Sequence, residues 1–462
     1  MKMKITLFTT LVFLGFSVVN AQANEEDINT LSIFSEYAKA KNYDAAYGPW
    51  MEIRKRNPKF NRAIFTYGER ILKDKIKKSS GANQIAYIQD LVLMWGERRT
   101  HFASKTPEGE FLAKACQLQY DYRKVLNMSN SQLYDCYDNA YKKDEKTFTN
   151  PKSLYTYFKL MVKLYDDGMQ PAEALFTKYD EISEKVEAEV KNYTTLLNKY
   201  VRNVDDEQST NLTSKEQKAV KSYTSFLRAF DQIARGMDKD LGDRANCENL
   251  IPLYNRNYEE NKNDGLWLQR AMNRMAEKEC TNDPLFVTIV EQKNSLEPNA
   301  DTSYYLGFLK EKSGNDDDAL AYYNQAVELQ DDSYEKAKIL YKIAAGFKKK
   351  GRYGQARSYY QKALAANPSM GKAYLSIAQM YASSAKNCGI DNFTKRAVYW
   401  LAAQEARKAG RVDPNLKKAS NNTSANYLAK APSKGEVFTD GRSGETLKIG
   451  CWIGRSVKVP KL

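Results

Sequence analysis

From about residue 24 to residue 432, apolar and aromatic side chains return every three or four positions. This is the period of helices that each bury one face. Short polar turns punctuate the pattern at Asn57-Pro58, Lys77-Lys78-Ser79-Ser80-Gly81, Thr149-Asn150-Pro151 and Asn367-Pro368. Each combines turn formers with helix breakers and is followed by a new periodic stretch. The pattern predicts an all-α chain of short antiparallel helix pairs. After Pro432 it changes to Gly-rich turns and β-branched runs, so 432–462 is expected to be a tail with short strands at 436–438, 446–452 and 456–459.

The C-terminal half repeats. From Ala300 the chain carries Leu306, Gly307, Gly314, Ala319, Tyr323 and Ala326; from Ala337, matching offsets carry Ile343, Ala344, Phe347, Gly351, Ala356, Tyr360, Ala363 and Pro368. A third unit from Gly371 has Tyr374, Ile377, Ala378 and Tyr381, and resumes after an insertion at Ala402, Ala409 and Pro414. The starts lie 37 and 34 residues apart. Small residues at three of these offsets let two helices approach closely, and bulky ones fill the space beside them. The series resembles the tetratricopeptide repeat, a helix pair of ~34 residues. It departs from the family pattern at Asp331, where proline is usual, at Lys310, where an aromatic is usual, and at the insertion over 383–394.

The resemblance implies a tetratricopeptide-like α-solenoid with repeats at about 300–333, 337–370 and 371–416, within a repeat region of 299–431. A further unit is expected at 27–60, with Ile33, Tyr37, Ala46, Trp50 and Pro58 at matching offsets. The rest of 24–298 reads as helix pairs without a clean signature: degenerate repeats of the same solenoid, or a separate bundle.

Two lysines at positions 2 and 4 precede an apolar run over 5–19 and small residues at Ala21 and Ala23, so 1–23 reads as a secretory signal peptide. The run is shorter than the ~20 residues that span a bilayer, and none comparable follows it. Export to the periplasm or cell envelope is the expectation. All six cysteines then sit in an oxidising compartment, which favours disulfides. Cys247 and Cys280 fall at one end of a helix pair turning at Asn263-Asp264-Gly265; Cys116 and Cys136 flank the turn at 128–130, with their levels offset by several ångströms; Cys388 and Cys451 remain, and their bridge would pin the tail. Zinc lacks a C-x-x-C motif and has one histidine to draw on.

The formal charge of +14 is spread along helical segments with acids interspersed, the pattern of a solvated surface that can also meet an anionic envelope surface. Export argues against a nucleic-acid partner. No catalytic constellation stands out. His101 has no partner serine or cysteine motif, Asp316-Asp317-Asp318 sits where acids cap a helix, and no phosphate-cradling glycine loop is present. No enzyme activity, metal or cofactor is therefore expected.

In the resembling family the first helix of each unit lines a concave face. That implies Asp301, Tyr304, Phe308 and Glu311, then Lys338, Tyr341, Ala345 and Lys348, then Lys372, Leu375, Gln379 and Ala382. Aromatic anchors among lysines suit a protein partner with acidic residues. The expected function is an envelope scaffold or adaptor that holds protein partners in this groove. The alternative is a glycan- or peptidoglycan-binding protein, since 32 tyrosines offer rings for sugars to stack on. Self-association through solenoid ends is a further possibility.

Overall fold

The computed structural model describes residues 25–201 and 212–462; the segment read as a signal peptide, 1–23, lies outside them. The described residues fall into two compact units, divided between Ile182 and Ser183.

The first unit contains α1 (residues 25–39), α2 (Tyr43–Arg56), α3 (Ala63–Lys78), α4 (Gly81–Phe102), α5 (Glu108–Asp121), α6 (Arg123–Leu126), α7 (Asn130–Lys143), α8 (Pro151–Asp166) and the start of α9 (Ala172–Asn198). Capping side chains set several starts: Asn42 accepts from the Ala45 N–H, Ser129 forms a capping box with Gln132, and Asn150 precedes Pro151 at the first helical position. One core joins Phe34, Trp50, Ile53, Phe65, Leu72 and Trp95. The Trp50 indole N–H is satisfied by the Ile64 carbonyl at 2.8 Å.

The unit expected at 27–60 is a helix pair, but its first helix is set one residue off the expected register. Ile33 and Tyr37 are 41% and 42% exposed, whereas Phe34 and Ala38 are buried. The second helix keeps the expected frame, with Ala46 and Trp50 fully buried. Burial in α1 follows Asp27, Thr30, Phe34 and Ala38. Asp27 meets Arg56 and Asn57 from that face, so polar pairing and core packing agree on the shifted register.

The second unit continues with the rest of α9, then α10 (Ser214–Leu241), α11 (Cys247–Asn261), α12 (Gly265–Glu277), α13 (Pro284–Leu296), α14 (Ala300–Lys312), α15 (Asp316–Leu329), α16 (Ser333–Lys349), α17 (Tyr353–Ala366), α18 (Gly371–Ser384), α19 (Asn392–Val412), α20 (Lys417–Leu428) and α21 (Lys434–Thr439). From α14 to α19 these form three helix pairs, α14–α15, α16–α17 and α18–α19, each packed along its length. The small residues sit where the helices meet: Ala319, Ala326, Ala344, Ala356, Ala363, Ala378, Ala402 and Ala409 are all buried. The turns inside the first two pairs use glycine in the left-handed region, at Gly314 (φ 80°) and Gly351 (φ 73°). After each one the chain returns a backbone N–H to the preceding helix, from Asn315 to the Lys310 carbonyl and from Arg352 to that of Phe347. The fold is therefore an α-solenoid of paired helices with a small C-terminal sheet.

The insertion of the third unit lengthens its second helix, α19, to 21 residues and leaves a short 3-10 turn at Ala385–Asn387 before Cys388. Beyond α20, residues 434–439 form a helix where a strand was expected at 436–438. Ser433 and Glu436 make a capping box, a helix-start signal that outweighs the strand preference of β-branched Val437 and aromatic Phe438. The two strands, β1 (Thr446–Ile449) and β2 (Arg455–Lys458), pair antiparallel with Leu447 opposite Val457. A two-stranded ribbon is marginal alone. This one packs on α19, and the turn between its strands reaches α17 and α18: the Trp452 indole N–H donates to Ser384 Oγ at 2.9 Å, and its ring lies 5.5 Å from those of Tyr353 and Tyr381.

The six sulfurs pair as Cys116–Cys136, Cys247–Cys280 and Cys388–Cys451, with Cα separations of 5.8, 5.5 and 5.3 Å. The offset foreseen for the first pair vanishes because the turn contains α6 and a left-handed Asn127 (φ 53°). Cys116 and Cys136 then stand at similar depth in α5 and α7.

Close approach in the first repeat can be tested at Gly307. A Cβ there would lie 2.7 Å from the Tyr323 ring, which is buried and anchored to Glu311 by its hydroxyl at 2.5 Å. Gly307→Ala is expected to destabilise the unit by about 1–3 kcal/mol in urea unfolding. Gly354→Ala, with open space around the new methyl, is expected to be neutral or stabilising by at most about 1 kcal/mol.

Candidate docking groove

The first helices of the repeats, α14, α16 and α18, bring the implied face together as a ladder. Lys342 Nζ lies 5.3 Å from the Tyr304 ring centroid, linking α16 to α14. Lys372 Nζ lies 4.4 Å from that of Tyr341, linking α18 to α16. One step further along, Lys348 donates to Gln379 at 2.6 Å, and the Tyr341 and Ser376 hydroxyls meet at 3.4 Å. Phe308 is half-buried on α14, and Asp301 accepts from Gln269 of α12 at 3.0 Å.

The tyrosines divide their surfaces between core and groove. Tyr304 packs against Tyr305 and Tyr323 at 5.2 and 5.6 Å, and Tyr341 against Tyr360 at 5.2 Å. Each therefore supports the helix pair with one side and offers the other to an ammonium group. Burial, reinforced by the charge of Glu311, pushes the Tyr304 phenol up to about 12, so it remains a neutral donor across the physiological range.

The lysines crowd one another. Lys338 is pushed down to about 8, first by burial and then by the neighbouring charges of Lys342 and Lys372. Burial and Lys342 hold Lys372 below the ordinary lysine range, and burial lowers Lys348. Lys338 has carboxylates beside it, Glu187 and, at 3.0 Å, Glu335. Lys342 and Lys372 are exposed and form no ion pair among the described residues; tyrosine faces are their partners. The face is thus a basin of positive charge over aromatic rings, suited to carboxylates that arrive with apolar neighbours.

Sequence reasoning missed Lys342, although it lies one helical turn beyond Lys338 and so shares its side of α16. Most consequentially, it expected the face to be open. Residues 183–198 of α9 reach it instead. Glu184 meets Arg270 of α12 through two contacts of 2.8 Å, Glu187 meets Lys338, Lys191 meets Asp332 at 2.8 Å, and Asn198 accepts from the Ser369 N–H at 3.1 Å. Nothing in the pattern of residues 183–198 sets them apart from a repeat helix, so their placement had no sequence signal.

Among the described residues, no group of three or more His, Cys, Asp or Glu side chains is placed to hold a metal ion, and no helix is long and apolar enough to cross a membrane. His101 sits in the last turn of α4, its ring 6.3 Å from that of Phe65. The cap of α15 is Asn315, which accepts from the Asp318 N–H, rather than the acidic run itself; Asp316 lies in the first turn and pairs with Arg352 at 2.8 Å and Lys350 at 3.1 Å.

The depressed Lys338 group makes a solution prediction. After reductive ¹³C-methylation, its NMR resonance is expected to titrate near pH 8, well before the exposed lysines. Glu187→Gln, which removes an opposing charge, is expected to move the midpoint lower still. Co-titration with the bulk lysines would contradict the packing of Lys338, Lys342 and Lys372.

Comparison with known proteins agrees with the repeat frame. The family model described as tetratricopeptide repeat matches residues 299–369. The photosystem I assembly protein Ycf3 of Cuscuta gronovii, and that of Cuscuta obtusiflora, is 34% identical over 77 residues, which is 16% of this chain and 46% of the relative. The chain thus spans about half the length of the curated relatives it matches. Among solved structures, a tetratricopeptide repeat protein from Parabacteroides merdae is similar at 8% identity, covering 68% of this chain and 97% of that one, with a TM-score of 0.25. The human IFIT1 dimer with PPP-AAAA is similar at 11% identity over 88% and 93% of the two chains, with a TM-score of 0.28. Paired helices closing on small residues, the left-handed glycine turns and the matched family model together identify this chain as a repeat protein whose residues 299–369 are tetratricopeptide repeats.

Proposed function

We propose that this protein is an exported scaffold or adaptor of the cell envelope that docks an acidic segment of a protein partner on the first-helix face of its repeats. The observation that carries the reading is the pair Lys342 and Lys372, exposed over Tyr304 and Tyr341 and in no ion pair among the described residues, although the charge of Lys342 reaches Glu277 and Glu335. Burial first, and then the charge of Lys342, hold Lys372 below the ordinary lysine range, and an incoming carboxylate relieves that strain on its charge. The rings beneath supply desolvated contact area.

Export rests on the leader pattern at 1–23 and on six cysteines that all pair, the usage of an oxidising compartment. Scaffolding is also in keeping with the assembly role named for the curated relatives across the matched repeats.

The test is cross-linking in intact envelopes followed by capture through the protein. The unmodified chain is expected to recover a protein partner, and Lys342→Ala with Lys372→Ala to weaken capture by about tenfold, equivalent to ~1.4 kcal/mol, while leaving the helical circular dichroism unchanged. Unimpaired capture by the double variant would reject this face. Retention on purified cell-wall sacculi with no protein recovered would replace the scaffold reading with the glycan one.

A further inference from the structure

We infer that residues 183–201, together with α10, are a resident ligand of the first-helix face, and that the partner is an amphipathic helix with carboxylates three residues apart that takes their place. This rests on the scaffold reading and adds to it the form of the partner and the route by which it enters.

The two segments form an antiparallel pair held by their own aromatic zipper. Tyr193 stacks on Phe226 at 4.7 Å and lies 6.0 Å from Phe230, while Tyr200 meets Tyr223 at 6.3 Å. Phe230, Ile233, Met237 and Leu241 are buried along α10, and Val186 and Leu197 along α9. The apolar core of the repeats, which runs from Ala300 to Val459, includes no residue of 183–241, nor do the half-buried apolar residues packed on it. The pair therefore has apolar contacts that do not depend on the core of the repeats.

Polar pairs join these segments to the repeats, open to solvent on the α9 side and partly buried on the side of Arg270 and Lys338. Glu184 and Glu187 are about half exposed where they meet Arg270 and Lys338, and Lys191 and Asp332 are similarly open. At the other segment, Arg228 donates to Asn415 at 3.1 Å, and Lys278 lies 3.6 Å from Asp238. Solvent-exposed ion pairs of this kind hold weakly and are screened by salt. The chemistry of the occupied face is nevertheless specific. Glu184 and Glu187, three positions apart on one helix, are read by a guanidinium fork from α12 and an ammonium group from α16. A helix with the same spacing meets the same cations, and it brings further carboxylates within reach of Lys342 and Lys372, which α9 leaves unpaired.

The test uses the full chain and a fluorescein-labelled synthetic peptide with the sequence of residues 183–201. In the unmodified protein the face is occupied and the peptide is expected to bind weakly. The charge-reversed chain Glu184→Lys, Glu187→Lys is expected to bind it about tenfold more tightly by fluorescence anisotropy, with faster hydrogen exchange over 183–198. Adding Lys338→Glu and Arg270→Glu, which restores pairing within the chain, is expected to return exchange to the original rate and abolish peptide binding. Released exchange without peptide binding would overturn the proposal, as would unchanged exchange in the charge-reversed chain. If envelope capture persists under either failure, the scaffold reading stands and only the resident-ligand inference falls. If capture is also absent, both fall.

Discussion

Close approach of paired helices is the constraint from which the repeat region follows. Two helices can come together along their length only where side chains on the facing stripe are small, and in this chain alanine or glycine stands at those places. Gly307 lies under the Tyr323 ring, and Ala344, Ala356 and Ala363 are almost wholly buried between their helices. Once a pair has closed, its bulky residues have one place to go, which is the seam with the next pair. Each pair thus presents the surface that its successor needs, and the array grows by adding neighbours. The left-handed turns at Gly314 and Gly351 serve the same end: they reverse the chain within a few residues, so the second helix starts close beside the first.

A stacked array of this kind fixes what its first helices can offer. Because α14, α16 and α18 succeed one another side by side, a residue at one offset meets the residue one repeat further on. Tyr304 and Tyr341 hold the same offset in their units, and each is covered by a lysine of the next first helix, Lys342 and Lys372, from two different offsets. Repetition also places like charges next to each other. Burial within the array lowers Lys338 and Lys372 first, and the charges of the neighbouring lysines lower them further. The charge concentration is therefore a property of the array rather than of any one helix.

Features governed by local spacing were legible in the sequence. Alanine and glycine offsets located the repeats, and the levels of Cys247 and Cys280 on a helix pair placed them together, as the structure does. The same offsets pointed to Tyr304, Tyr341 and Lys372 on one face, but not to Lys342, which completes the ladder there. Where a weaker local signal competed with a stronger one, the sequence misled: the Ser433–Glu436 box makes a helix of a segment that looked extended, and the polar pairing of Asp27 helps settle α1 with Phe34 inward rather than Ile33. What no local rule could supply was the destination of α9. Its residues beyond 182 look like one more repeat helix, and only long-range pairs such as Glu187 with Lys338 reveal that it crosses the face that the repeats leave bare.

That destination changes how the groove should be understood energetically. An empty basin of lysines would bear its repulsion in the free protein, and any acidic partner would be favoured from the start. With Glu187 on Lys338 and Glu184 on Arg270, part of the repulsion is already relieved within the chain, so a partner gains only the difference between its own contacts and those it displaces. Affinity is lowered by that amount, and selectivity rises, because a single stray carboxylate cannot replace two that are spaced along a helix. Lys342 and Lys372 tilt the balance toward exchange: they are the cations α9 does not reach, and so the place where a longer or more acidic helix finds contacts the resident one lacks.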